Sequence, residues 1–395
     1  MTAPTPTTRF VRRATTILAG TLLVLLIAQP VFAVEWGSAV RLSANDNYQP
    51  RLFRTGPAKA LMVWQRGSSA YARRSTDSGK TWSSPITIAS GMRLNFAASA
   101  YGSKVDIAYV RQTTSPTGGK AYRLFYRRSL DGGATWEAAR AVTSASSNIH
   151  DQALARHSNG RVTIAWTGYS TGSLYLRTSA DGGTTFAPAR YIGKTSNWEP
   201  GTYAFYRSEP AIAIGSGVTY VAYLSAANTL SVRRTTDQGV TWSSPIRIST
   251  STSEGYTLMA SGSSALLAYT STASGSMQAV YRRTTNKGTA WSSATAFAAS
   301  SSGRFSTTPQ FALRNGVLAV TFKHGRPGES PIWYRQSTDL GVTWSPLSRV
   351  SLEHVADSDP EVGGVAILDG GPLVGYNENR GVGAEGLWVR LGGGS

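Results

Sequence analysis

The chain has no cysteine, so no disulfide staples it, and thiolate metal sites and cysteine nucleophiles are excluded together. Its four histidines (His150, His157, His324 and His354) show no HExxH-like ligand spacing, so neither a metal nor a cofactor is expected. Helical apolar periodicity is missing past the N-terminus, which argues against amphipathic helices. Acidic residues are scarce: 21 Asp plus Glu stand against 39 Lys plus Arg, for a formal charge of +18. Such a balance points to an anionic partner, an acidic glycan or another anionic polymer. Long hydrophobic runs are absent too; the longest, residues 14–28, falls short of the ~20 residues of a membrane span.

That apolar run follows a basic stretch carrying Arg9, Arg12 and Arg13 and precedes Val31-Phe32-Ala33. Basic, apolar and small-residue segments in this order read as an export signal cleaved before Val34. The rival reading is an uncleaved N-terminal anchor. Cleavage predicts a secreted or cell-surface protein with no membrane span and a charge of +15. Residues 392–395 read as a flexible tail.

What the chain has in abundance is glycine, 41 residues, with a heavy load of serine and threonine. This is turn and strand composition. One signature recurs, Ser/Thr-x-Asp-x-Gly-x-Thr-Trp: residues 75–82 (STDSGKTW), 129–136 (SLDGGATW), 179–186 (SADGGTTF), 235–242 (TTDQGVTW), 284–291 (TTNKGTAW) and 337–344 (STDLGVTW). The third positions are Asp77, Asp131, Asp181, Asp237, Asn286 and Asp339, spaced 54, 50, 56, 49 and 53 residues apart. A period near 50 marks a propeller or solenoid. The signature resembles the Asp box, or BNR repeat, of the sialidase superfamily, and the resemblance covers essentially the whole chain from residue 34. It implies that the boxes are structural turns between a blade's third and fourth strands, away from the active face.

Around each box lie four strand-like runs, one propeller blade. After the sixth box three further runs occur without a box, at residues 360–368, 371–376 and 387–391. Residues 35–43 (EWGSAVRLS) resemble the box-end Trp and fourth strand of a repeat, as in residues 241–249 (TWSSPIRIS). The sequence therefore predicts an all-β protein, a β-propeller of seven four-stranded blades in one domain, residues 34–391. Six blades carry boxes, and the N-terminal strand closes the seventh. An arginine recurs four residues before each box Asp or Asn, at Arg73, Arg127, Arg177, Arg233, Arg282 and Arg335, with Arg390 matching in blade seven. Such periodicity reads as blade packing in preference to a nucleic-acid surface.

Aligning the repeats puts one residue per blade at the inner rim: Gln49, Asn95, Asp151, Glu209, Tyr256, Thr308 and Asp359. These differ from blade to blade, as grafted sites do, although a polar plug of the axial channel explains them equally. Loops on the same face add Arg66, Arg111, Lys323 and Arg326, with Arg93 and Arg207 beside the rim. Guanidinium forks suit the carboxylate of an acidic sugar, while Asp or Glu holds its hydroxyls. By resemblance, residues 208–212 (SEPAI) are similar to the sialidase segment carrying the Glu that pairs with a Tyr nucleophile. That implies Glu209, Asp151 as acid/base and Tyr256 (or Tyr48) as the phenol. The family's Arg-Ile-Pro or Arg-Leu-Pro is absent; Arg41-Leu42-Ser43 stands on the closing strand, and no Arg ends the strand after Glu209. The leading expectation is a monomeric sialidase-like propeller recognising an acidic or polar glycan at the rim through Gln49, Asn95, Asp359, Arg66, Arg111, Arg207 and Lys323. An exo-glycosidase of sialidase type and an extracellular protein-interaction scaffold are the alternatives.

Overall fold

The Asp boxes explain why the chain turns where it does. In the first, Ser75 Oγ donates to Asp77 Oδ1 (2.8 Å) and accepts from Gly79 N (2.8 Å), while Thr81 N and Oγ1 donate back to the Asp77 carboxylate. The same pattern recurs at Asp131, Asp181, Asp237 and Asp339, and in reduced form at Asn286. Each turn needs two successive left-handed residues: Gly132-Gly133 and Gly182-Gly183 in blades two and three, but Ser78, Gln238, Lys287 and Leu340 before the glycine elsewhere. These self-satisfied turns end the third strand and start the fourth.

The computed structural model describes residues 34–44, 48–115, 118–144, 149–168, 171–195, 209–226, 229–299, 305–326, 331–351, 361–378 and 386–393. Residues 1–33, read above as an export signal, lie outside them, as do Arg207, Asp359 and the side chain of Thr308. The described residues form seven antiparallel sheets and no helix. Blade one is Tyr48–Arg54, Ala60–Arg66, Ser69–Ser75 and Ile86–Ala89. Blade two begins at Met92–Tyr101, blade three at Ile149–Arg156, blade four at Ala211–Gly215, blade five at Thr252–Ser261 and blade six at Phe305–Arg314. Blade seven pairs Glu361–Leu368, Gly371–Glu378 and Gly386–Gly393, and the N-terminal strands Glu35–Trp36 and Val40–Ala44 complete it. First strands contact one another all the way round the ring, including blade seven to blade one.

Seven apolar clusters hold the ring, one at each seam between neighbouring blades. Burial of such clusters is the main stabilising term in a protein without disulfides. Five of the recurring arginines, Arg127, Arg177, Arg233, Arg335 and Arg390, add a polar bond across the same seams. Arg127 Nε donates to Glu137 O in its own blade (2.5 Å), and Nη1 to Ile88 O in the blade before (2.6 Å). Arg335 repeats this with Ser345 O and Phe297 O, both at 2.6 Å, and Arg233 with Ser243 O and Ile192 O. Arg390 makes the closing version, reaching Val350 O of blade six and Gly37 O and Trp36 O of the N-terminal segment. Trp36 stands where a box aromatic would, edge-on to Tyr334 at 5.3 Å, with its Nε1 donating to Ser348 Oγ (2.8 Å).

Candidate functional site at the axial rim

Every first strand starts on the face opposite the boxes. In six of the seven blades its pairing with the second strand is interrupted there, as between Tyr48 and Arg51, Met92 and Phe96, and Ile149 and Gln152. Bulges of this kind turn side chains toward the axis. Gln49 takes a left-handed backbone (φ 50°), a conformation that costs a non-glycine residue energy and is held by its surroundings.

Side chains from blades one and two converge on Glu209 of blade four, which adjoins neither. Asn95 Nδ2 of blade two and Gln49 Nε2 of blade one (3.4 Å) both donate to Glu209 Oε1, which belongs to blade four. Gln152 Nε2 of blade three donates to Asn95 O (2.8 Å) and Oδ1 (2.9 Å), and Phe96 N to Gln49 Oε1 (3.4 Å). Gln49, Asn95, Asp151 and Gln152 are buried, and Glu209 is half-buried. Burial pushes the Glu209 carboxyl up to about 7; Arg51 opposes the rise, the Asp151 charge adds to it, and the two amide donors temper it. Tyr256 is pushed well above its ordinary value by burial and by Asp151 and Glu209. Among the described residues its hydroxyl has no hydrogen-bond partner, and the Leu224 backbone opposes the rise. A carboxyl that is half-protonated near neutrality beside a second carboxylate can donate or accept a proton.

Strand register corrects two of the sequence alignments. Arg51 pairs with Val63, Ala97 with Ala108, Ala153 with Ala165, Ala211 with Ala222, Thr257 with Ala268 and Gly364 with Gly375. Counting back two residues gives Gln49, Asn95, Asp151 and Glu209, as expected, but Gly255 and Val362 in blades five and seven. Tyr256 thus stands level with Pro50 and Pro210, one step farther in, packed against the apolar seam of blades four and five and near enough for both carboxylates to act on it. Asp359-Pro360 imitates the Gln49-Pro50 and Glu209-Pro210 pairs, whereas the position equivalent to those prolines is Gly363, where an added Cβ would meet Pro50 Cγ at 2.6 Å.

The cations cluster beside blades one and two. Exposed Arg66 lies 4.9 Å over the Tyr71 ring, exposed Arg93 lies 3.9 Å over Tyr122, and half-buried Arg111 lies 5.6 Å over Phe125. A bond from Met92 N to Ser68 O (2.9 Å) joins the two blades at this edge, and Met92 pairs with Arg111. Aromatic platforms fix a guanidinium plane while leaving its N–H fork open to a ligand. Lys323 is half-buried in blade six and Arg326 exposed beyond it. Sequence reading missed Arg51, Gln152 and the platforms; the aromatic residues opposite Trp64 and Tyr109 on the third strands were the available signal. Among the described residues no group of three or more His, Asp or Glu side chains converges as a metal site would require.

The family model of the BNR repeat-like domain matches residues 52–257. A search of curated proteins finds no match. Among solved structures, a protein of unknown function from Dyadobacter fermentans aligns over 92% of this chain and 100% of its own, with TM-score 0.55 and 13% identity. A polysaccharide lyase, an ulvan lyase, aligns over 90% of this chain and 96% of its own, with TM-score 0.57 and 12% identity; one of its structures is bound to -[GlcA(1-4)Rha3S]-. A mutant of Trypanosoma rangeli sialidase aligns over 88% of this chain and 54% of its own, with TM-score 0.48 and 12% identity.

Proposed function

The chain belongs to the BNR repeat-like domain family, and from that premise we propose that it is an exported, monomeric propeller that recognises an acidic glycan at its axial rim. The observation that carries this reading is the pairing of a guanidinium edge with a carboxyl–amide centre on one face. Arg66, Arg93 and Arg111 stack on Tyr71, Tyr122 and Phe125, and beside them Gln49, Asn95, Asp151 and Glu209 close the axis. The guanidinium forks take a sugar carboxylate or sulfate, and the amides and carboxyls take its hydroxyls. At 12% identity the likeness to ulvan lyase concerns the fold, so the ligand class rests on the site itself. Export rests on the reading of residues 1–33. The test is binding of uronate-containing and sialylated oligosaccharides to residues 34–395. Arg66→Ala with Arg111→Ala should abolish it, and undiminished binding in that double variant sinks the reading.

A second reading has one specific observation behind it. Glu209 is poised near 7 beside Asp151 and Tyr256, the three groups that a sialidase-type hydrolysis would use. In this reading Asp151 acts as acid/base and Glu209 assists the Tyr256 phenol. Release of 4-methylumbelliferone from a panel of fluorogenic glycosides, sialoside included, tests it. Turnover that disappears in Glu209→Gln supports hydrolysis, and no turnover on any glycoside leaves a binding protein.

A further inference from the structure

One blade seam is built differently from the rest. On each second strand, the residue just past the partner of the box Ser or Thr is Leu61, Asp106, Thr163, Tyr220, Leu266 or Ala319 in blades one to six. In most blades this side chain fills the space beneath the box glycine of the following blade. A Cβ on Gly133 would meet Leu61 at 2.6 Å, on Gly288 Tyr220 at 2.7 Å, on Gly341 Leu266 at 3.0 Å, and on Gly79 the matching Leu373 at 2.7 Å. Between blades two and three, Asp106 is the filler together with Tyr126 and Arg156, an ion-paired and hydrogen-bonded cluster sealed from solvent. Between blades three and four the filler is Thr163, and a Cβ on Gly239 would meet nothing nearer than Trp242 Nε1 at 4.0 Å.

The vacated space is a cleft of about 300 Å³ on the box face, at the small end of the range for ligand pockets. Its lining combines apolar Leu176, Ile214, Val218 and the Trp242 indole with hydroxyl and amide groups, among them Thr178, Ser216 and Gln238. The cleft has no acidic lining residue. Its one constant cation, Arg161, already donates to Gln238 Oε1. His157, whose Nε2 lies 3.2 Å from Thr163 Oγ1, is pushed down to about 4 by burial and by Arg161, so it is neutral at physiological pH. Trp242 Nε1 is buried without a hydrogen-bond partner among the described residues. Trp64, Trp136 and Trp291 share that property, and it is the Trp242 ring that lines the cleft.

We propose that this cleft between blades three and four is a second binding site, separate from the rim, for a single neutral sugar ring. A pyranose has an apolar C–H face for the indole and aliphatic side chains and equatorial hydroxyls for the threonine, serine and amide groups. In the lining, hydroxyl and amide groups far outnumber the single guanidinium of Arg161, which suits a ring that binds through its hydroxyls.

Saturation-transfer NMR with methyl α-D-glucoside, methyl α-D-mannoside and methyl β-D-galactoside, with N-acetylneuraminate as the charged comparator, tests this on residues 34–395. At least one neutral glycoside should bind saturably and shift the Trp242 indole N–H resonance. Thr163→Leu installs the filler that blades one and five use, so it should abolish binding and leave the melting temperature unchanged or higher. Trp242→Phe keeps an aromatic that blade three tolerates as Phe186 and should weaken binding about tenfold, the loss of indole surface under the C–H face of the ring. Arg66→Ala with Arg111→Ala should leave this binding intact, which separates it from the rim. No binding by any neutral glycoside, a cleft that takes N-acetylneuraminate alone, or affinity unchanged in Trp242→Phe overturns the proposal.

Discussion

Glu209 and the box aspartates are the same kind of group in opposite environments, and the contrast is set by what each oxygen touches. Asp77 and Asp131 accept from threonine and serine hydroxyls and backbone amides; for Asp77 these donors dominate, and for Asp131 they outweigh the burial that opposes them, so both sit at about 2. Their ionised forms favour the fold above the unfolded-state value near 4, and that contribution is lost as pH falls toward 2. Glu209, where burial dominates, runs the other way. The folded protein holds its proton more tightly than the unfolded chain, so stability declines as pH rises from about 4.5 to 7, and the full cost persists above 7. Glu209→Gln should therefore be more stable than the parent at pH 8 by about 1–3 kcal/mol, and equal to it at pH 4. Urea denaturation at the two pH values measures this, and a pH-independent difference contradicts it. The chemical identities of Glu209 and Asp151 were legible in the sequence. The true place of Tyr256 was not, because the irregular pairing between Thr252 and Tyr256, four residues along one strand against two on its partner, leaves no mark in composition.

At the scale of the strand, the seam arginines turn a period in the sequence into a bond between blades. The recurrence of Arg73 through Arg390 was visible as part of the blade pattern. That one guanidinium spans two backbone carbonyls in successive blades was not visible, because Arg335 and Phe297 are joined only by the curvature of the ring. Each such arginine satisfies carbonyls that would otherwise be left wanting inside a seam. Arg335→Met, which keeps the apolar stem and removes the donors, should lower stability by about 2–3 kcal/mol. Arg335→Lys should recover only part, since a single ammonium cannot reproduce the fork. Chemical denaturation of the pair checks both, and equal stability of the Met variant and the parent would show that the bond is dispensable. The seam fillers were equally hidden: Leu61 and Gly133 lie far apart in sequence, so only the folded ring reveals which blade boundary lacks a filler.

The whole molecule closes with strands from both ends of the chain. Glu35–Trp36 and Val40–Ala44 pair with Gly386–Gly393, Trp36 replaces the missing box aromatic, and Arg390 holds the joint. The seventh blade was legible in advance because residues 35–43 repeat the motif of a fourth strand. Removing residues 34–44 leaves an open sheet edge and strips Arg390 of two carbonyl partners. The shortened protein should melt well below the parent, with association through the bared edge visible by size-exclusion chromatography. A monomer with unchanged melting temperature would mean that the ring does not depend on this closure.

The rim as a glycan site is the central claim, and the most direct measurement is a crystal structure of residues 34–395 soaked with an acidic oligosaccharide. The account predicts sugar density at the axis, with its carboxylate or sulfate on the guanidinium groups of Arg66 and Arg111 and a hydroxyl within reach of Glu209. An acidic oligosaccharide that binds in solution but occupies another surface, leaving the rim residues in their mutual hydrogen bonds, would contradict it and make the axial cluster a plug.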